Sequence, residues 1–174
     1  MSKGSGTFGC LCSVILVRKV LCILLNIVLF ACLGAGFGAC ALPASAAEVS
    51  EYGNPLIPVM VKGTTVMAEV VSSPGKLYLG LAPRPTLPPG RGMLFVLPAE
   101  EIQEFCMRGM RFALDLIWIR EGRVVGWEKN VAPDDPRTLV SPVPVKYVLE
   151  VPAGFCDRHH IAVYDRVSFR WPAR

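Results

Sequence analysis

The sequence predicts a mainly β protein, a single β-sandwich or barrel-like domain with one or two short helices. Six to eight short runs rich in β-branched and aromatic residues follow one another, separated by turns and loops rich in Gly and Pro. The chain has 174 residues, and the part that follows an apolar N-terminal segment, residues 48–174, is long enough to bury one core.

The N-terminal segment, residues 1–47, has the features of a signal peptide or a membrane anchor. Lys3, Arg18 and Lys19 give it a positive start without acidic residues, and an uncharged run follows from Val20 to Leu42. "PASAAE" comes next, and its small residues at Ala44 and Ala46 favour cleavage after residue 46 or 47. The sequence therefore predicts a periplasmic or secreted protein.

Two alternatives for the leader remain open. The apolar run is long enough to stay in the bilayer as an anchor. Leu29 to Cys32, "LFAC", also resembles a lipobox, which would make Cys32 a lipidated residue. In either case the membrane is contacted only through this N-terminal segment.

The charge and cysteine counts of residues 48–174 argue against nucleic-acid binding and leave at most one disulfide. Three of the 18 Lys and Arg residues lie in the leader, which leaves 15 against 14 acidic residues and no basic stripe for nucleic acid. Five of the seven cysteines also lie in the leader. Cys106 and Cys156 remain, and they either form a disulfide in an oxidising compartment or stay as two buried thiols.

In the first half of the domain the sequence predicts a linker, a hairpin, a short helix and a buried strand. Residues 48–58 are polar and broken by proline, so they are interpreted as a linker ahead of a β-rich domain at 59–174. Strands flank a turn at Lys62 and Gly63, and a helix follows Ser73, a suitable N-cap, and ends near Gly80. A proline-rich loop then leads to an apolar strand over residues 92–97.

The second half predicts a hairpin and two further strands. "LDLIWI" from Leu114 and "VVGWEKNV" from Val124 are expected to pair across the charged turn "REGR". A proline-rich loop, the strand "KYVLEV", a turn or helical turn at "AGFCDRHHI" and a last strand "YDRVSFRW" complete the chain.

An ordered set of segments resembles the domain of unknown function 192 family. The segments are "GLAPRPTLPPGRGMLFVL", "FCMRGMRFALDLIWI", "VAP", "YVLEVPAG" and "IAVYDRVSF", which together span most of Val59 to Phe169. The resemblance implies a small, β-rich, often exported domain whose biochemical role is not established. Family members typically have Trp where this chain has Cys106 and Asn where it has Gly109, which weakens any inference of a shared site at this stretch.

The sequence contains no recognisable catalytic constellation, and no cofactor is expected. Cys106 and Arg108 would share one face of a strand, so an activated thiol is conceivable, but a cysteine that only fills space is the favoured interpretation. His159 and His160 are adjacent and lack metal-site spacing, so no metal site is predicted.

Charged residues inside apolar segments are the better candidates for a site. Asp115 and Glu150 each lie in an apolar run, where a charge must be paired or hydrogen-bonded. Either carboxylate could bind a ligand, or it could hold a loop by accepting backbone hydrogen bonds. We predict a ligand-binding site from the residues in the family-like segments: Arg84, Met107, Arg108, Asp115 and Glu150.

Three functions follow from these observations. The first is an exported domain without catalytic activity that binds a small polar or anionic ligand, or a protein of the cell envelope. The second is a hydrolase or carbohydrate-modifying enzyme that uses Asp115 and Glu150 as an acid–base pair across a cleft. The third is a structural interaction module, which a large exposed apolar patch would indicate.

Overall fold

A computed structural model describes residues 48–171 as nine strands and two short helices, which confirms the predicted fold class. Seven strands form one curled sheet with the order β6-β5-β8-β3-β2-β1-β9, and β4 pairs with β7 in a separate two-stranded ribbon. The elements are β1 (Leu56–Val61), β2 (Thr64–Val71), α1 (Pro74–Leu79), β3 (Arg91–Glu101), β4 (Glu104–Phe105), β5 (Leu114–Arg120), β6 (Arg123–Val131), β7 (Leu139–Val140), β8 (Val145–Pro152), α2 (Phe155–Arg158) and β9 (Val167–Ser168).

The sheet curls until its two edges meet at one end. An isolated antiparallel bridge joins Arg123 to Arg166, and backbone hydrogen bonds link Val124 to Tyr164 and Asp165. The strand edges at that end are therefore paired rather than exposed, as in a barrel. Within residues 48–171 no helix is long and apolar enough to cross a bilayer.

Both faces of the sheet are covered, so the domain has two hydrophobic cores. On β5 Ile117 and Ile119 face one way, whereas Leu116 and Trp118 face the other. The inner core, on the concave face, contains Val59, Val61, Val66, Ala68, Val70, Leu94, Ile117, Ile119, Val124, Leu149, Val151, Phe155, Cys156, Ile161 and Val167. The outer core, on the convex face, contains Val71, Leu81, Met93, Phe95, Leu97, Met107, Leu114, Leu116, Trp118, Val131, Leu139, Val145 and Val148.

The outer core depends on the connection between β2 and β3. These two strands are parallel, so the chain must cross from the end of one to the start of the other over a face of the sheet. Residues 72–90 make this crossing as α1 and the proline-rich loop. As predicted, Ser73 and Gly80 flank α1, although the Ser73 side chain makes no capping hydrogen bond.

The predicted linker is part of the folded domain, which corrects the boundary at residue 58. Val49 bridges Pro55, Asn54 is buried, and β1 begins at Leu56. Pro58 is tolerated in this strand because of its register. Counted from the two-residue turn at Lys62 and Gly63, Pro58 forms a non-hydrogen-bonded pair with Met67, so β2 requires no amide hydrogen from it.

Two other predicted strands differ in extent, and a third predicted strand position lies in a loop. The strand predicted at 92–97 runs on to Glu101 with a register shift after Val96, and the last strand contains only Val167 and Ser168. Between Phe105 and Leu114 the chain leaves the sheet, so Cys106 and Arg108 lie in a loop rather than on one face of a strand. This loop and the β4–β7 ribbon complete the cover of the convex face.

Candidate functional site

A cavity of about 400 Å³ lies between the crossing connection and the β4 segment, above the convex face of the sheet. Its volume is within the range of small-ligand sites. α1 and the residues after it form one wall, β4 and the following loop form the other, and Phe95, Leu97 and Glu150 belong to the sheet beneath. The remaining lining residues are Leu77, Tyr78, Leu79, Gly80, Leu81, Ala82, Gln103, Glu104, Phe105, Cys106, Arg108 and Met110.

Glu150 provides a buried carboxyl group in this cavity. Its residue is 7 % exposed, and its cross-strand neighbours are Met93 on β3 and Leu116 on β5. Oε2 is fully buried and has no hydrogen-bond partner among residues 48–171. Burial raises the pKa of Glu150 to about 8, because removal from water disfavours the ionised form.

A buried, unpartnered carboxyl group of this kind is unusual in a folded domain. Buried polar atoms are nearly always hydrogen-bonded, since an unsatisfied one costs about 1–3 kcal/mol. Nothing in the fold uses Glu150 to hold a loop or a strand in the described part of the chain. The side chain is therefore the strongest candidate for contact with a ligand.

Asp115 has the opposite role, although it also lies in an apolar strand. It is fully buried, and it faces the concave side of the sheet together with Ile117. Oδ1 accepts hydrogen bonds from the backbone amides of Asn130 (2.7 Å) and Gly154 (3.1 Å), and Oδ2 accepts one from the amide of Cys156 (2.7 Å). All three donors are backbone amides, so Asp115 holds loops in place rather than facing a ligand.

The two carboxylates do not form a pair. Asp115 is opposite Val151, and Glu150 is opposite Leu116, so the two acids occupy adjacent rows on neighbouring strands. Because successive side chains of a strand point to opposite faces, one acid lies on the concave side and the other on the convex side. The hypothesis of an acid–base pair across one cleft has no geometric basis in this arrangement.

Arg84 is also separate from the Glu150 cavity. Its Nη2 donates to Glu69 Oε2 at 2.5 Å, and its guanidinium lies 3.8 Å from the centroid of the Tyr52 ring. The same Glu69 oxygen accepts from Asn54 Nδ2 (2.6 Å) and Ser50 Oγ (3.0 Å), so this network fastens the segment before β1 to the domain. A second cavity of about 380 Å³ is lined by Ser50, Tyr52, Glu69 and Arg84, among others.

Glu69 and Glu150 make an informative contrast. They occupy the same cross-strand row on the convex face, one on each side of Met93. Glu69 receives a buried arginine and two further donors, whereas Glu150 receives none. The fold thus neutralises one acid of the row and leaves the other facing a cavity.

The structure brings together only two of the five predicted ligand-binding residues. Arg108 and Glu150 line the same cavity, with Arg108 exposed at its mouth. Met107 is buried in the outer core. The main part of the lining that the sequence did not predict is the wall from Leu77 to Ala82. The sequence indicated only a short helix there, and in the structure this helix has no buried residue.

Residues 48–171 contain two cysteines, which do not pair with each other and lie on opposite sides of the sheet. Cys106 is exposed and lines the Glu150 cavity, whereas Cys156 is buried in the inner core. Burial and the nearby Asp115 carboxylate raise the pKa of the Cys156 thiol, which keeps it protonated and unreactive. Across residues 48–171 no three His, Cys, Asp or Glu side chains are grouped so that they could hold a metal ion.

These features define a class: small single-domain β proteins in which a curled sheet carries a cavity on its convex face. The chain belongs to the domain of unknown function 192 family. The model of that family (DUF192, "Uncharacterized ACR") matches residues 57–169. This confirms the resemblance, and the family name gives no activity.

Two crystal structures are similar to the chain. A protein of unknown function from Novosphingobium aromaticivorans DSM 12444 is 29% identical with a TM-score of 0.67, and the match covers 72% of this chain and 94% of that one. A protein from Sinorhizobium meliloti 1021, provisionally described as a transcription regulator, is 27% identical with a TM-score of 0.64, over 70% and 97% of the two chains. No curated protein was found to match the sequence.

Proposed function

We propose that the protein is an exported binding domain that holds a small molecule in the Glu150 cavity. The observation that carries this proposal is the Glu150 carboxyl group, which is buried at an apolar cavity and has an oxygen without a partner. Rotation of this carboxyl group toward a polar group of the ligand would supply the missing hydrogen bond, and the apolar part of the ligand would cover Phe95, Leu97 and Leu81.

A ligand screen by thermal shift tests the proposal with the fragment 48–174. The two similar crystal structures consist almost wholly of the matched domain, which supports folding of this fragment without the leader. We expect small amphipathic molecules to raise the Tm, because a ligand at 100 times its Kd stabilises the folded state by about 2.7 kcal/mol.

A pair of variants locates the binding site. Cys106→Trp places a large ring in the Glu150 cavity, at a position where the resemblance implies Trp, and it should abolish the Tm increase. Thr86→Trp is the matched control, because exposed Thr86 lines the second cavity instead. Binding that survives Cys106→Trp, or a fragment that no class of small molecule stabilises, would rule out this site.

Export is the second part of the proposal, and the leader supports it. The positive start, the uncharged run and the small residues at Ala44 and Ala46 match what a signal peptidase requires. In a bacterial host we expect mature protein that begins at residue 47 or 48, measured by intact mass after cell fractionation. If Cys32 is lipidated instead, the protein is found in the membrane fraction and Cys32→Ser releases it, whereas an intact cytoplasmic chain contradicts export.

An interaction with an envelope protein is the alternative use of the same surface. Tyr78 (82 % exposed) and Leu79 (53 % exposed) stand side by side on α1 at the mouth of the cavity. A partner could insert an apolar side chain between them and the sheet. A Tyr78→Ser, Leu79→Ser variant that keeps small-molecule binding but loses a partner would favour this alternative.

A further inference from the structure

We propose that the Glu150 cavity selects amphipathic cations: molecules with an apolar body and one guanidinium or ammonium group that binds the Glu150 carboxylate. This inference rests on the proposed binding function and names its ligand class. It departs from the expectation of a polar or anionic ligand, which depended on one pocket lined by Arg84, Met107, Arg108, Asp115 and Glu150.

The first argument is the hydrogen-bonding requirement at the buried end of the cavity. An ionised carboxylate only accepts hydrogen bonds, and Glu150 Oε2 receives none from the described chain. A guanidinium group offers two parallel N–H donors in the geometry that a carboxylate requires. A neutral apolar ligand would leave the oxygen unsatisfied, and an anion would place a like charge beside it.

The second argument is the distribution of charge around the cavity. Besides Glu150, the titratable and charged lining groups are Tyr78 from α1, Glu104 from β4, and Cys106 and Arg108 from the next loop. Glu104 and Arg108 are exposed and have opposite signs, so the mouth favours neither kind of ion. From the sheet, β3 and β5 present Met93 and Leu116 to Glu150, and neither carries a charge.

The third argument is that Glu150 can be ionised at little cost near neutral pH. Its pKa of about 8 means that about one molecule in eleven is ionised at pH 7. A cation that requires the ionised form therefore loses only about tenfold in affinity at pH 7, and binding displaces the proton from the carboxyl group to solvent. Above pH 8 this loss disappears.

Three probes with one phenylalkyl body test the inference on fragment 48–174: phenethylguanidinium, 3-phenylpropanol and 3-phenylpropionate. Calorimetric titration at pH 6, 7, 8 and 9 should rank the guanidinium first, with an affinity that rises about tenfold from pH 7 to pH 9. The guanidinium stays charged over this range, so the rise reports on the protein. At pH 7 binding should also release about one proton, which is measured by titration in buffers of different ionisation enthalpy.

Matched variants assign the effect to one side chain. Glu150→Gln should bind the alcohol as the natural protein does, but it should lose both the preference for the guanidinium and its pH dependence. Glu128→Gln, which removes an acid of the same cross-strand row that does not line the cavity, should keep both properties.

The outcomes separate this inference from the proposed function. Binding of the alcohol without a preference for the cation would overturn the inference and leave a binding domain. Preference for the carboxylate probe, with affinity that falls above pH 8, would instead mean that Glu150 acts as a protonated donor. Failure of all three probes on the folded fragment would reject both ideas.

Discussion

Replacing Asp115 by Asn is expected to lower the free energy of unfolding by about 3–5 kcal/mol. The carboxylate accepts three backbone hydrogen bonds, from Asn130, Gly154 and Cys156, in a fully buried position. Asparagine removes the charge and turns one acceptor into an N–H donor that faces an amide donor. Urea unfolding of fragment 48–174 at pH 7 would measure the loss, together with a decrease in Tm of roughly 10–20 °C.

The effect should be large because Asp115 joins three parts of the fold. Asn130 and Gly154 both adopt positive φ angles, of 51° and 76°, and Gly154 precedes α2, which carries Phe155 and Cys156 into the inner core. The Asp115 carboxylate therefore caps the free amides at the start of this short helix from a neighbouring strand.

Asp157→Asn is the matched control for this prediction. Asp157 lies in the same helix, and its carboxylate bonds Lys129 Nζ at 2.7 Å, but the pair is exposed to solvent. Exposed ion pairs contribute little to stability, so this variant should remain close to the natural protein. Equal losses for the two variants would contradict the structural role of Asp115.

Local patterns in the sequence predicted most elements, and non-local pairing explains those that they missed. The alternation from Val66 to Val71 and the apolar run from Leu114 correspond to β2 and β5. The two-residue strands β4 and β7 carry no periodicity, since Phe105 and Leu139 pair only because the ribbon folds across the outer core. The parallel pairing of β2 with β3 likewise depends on the crossing connection and cannot be inferred from either strand alone.

The sequence identified the right kind of residue for the site but not the partners. Asp115 and Glu150 are both acids in apolar strands, and nothing local distinguishes the acid that is bonded from the acid that is not. The difference arises because Asp115 faces the amides at the start of α2, whereas Glu150 lies beside Met93 on the other face of the sheet, where no donor from residues 48–171 reaches its Oε2. By charge alone, Arg84 could pair with Asp115 or with Glu150. The path of the proline-rich loop places it next to Glu69 instead.

The stability of the natural domain is expected to fall as pH rises from about 4.5 to about 8, and Glu150→Met should remove this dependence. The pKa of Glu150 is raised from 4.5 to about 8 on folding, so the folded state holds a proton that the unfolded state loses. The stabilisation is complete below about pH 4.5 and is lost by about pH 8. The full loss is up to about 5 kcal/mol, at 1.36 kcal/mol for each pKa unit.

Urea unfolding at pH 5, 6, 7, 8 and 9 would measure this slope, and Glu128→Gln is the control. Glu128 faces Leu116 from β6 in the same cross-strand row, but its side chain is 30% exposed, so its variant should keep the slope of the natural domain. Glu150→Met should be the more stable protein at pH 8, because it replaces a buried ionisable group by an apolar one of similar length. A natural domain of constant stability from pH 5 to pH 8 would mean that Glu150 already has a partner when folded. The proposal that the cavity binds a cation through Glu150 would then be rejected.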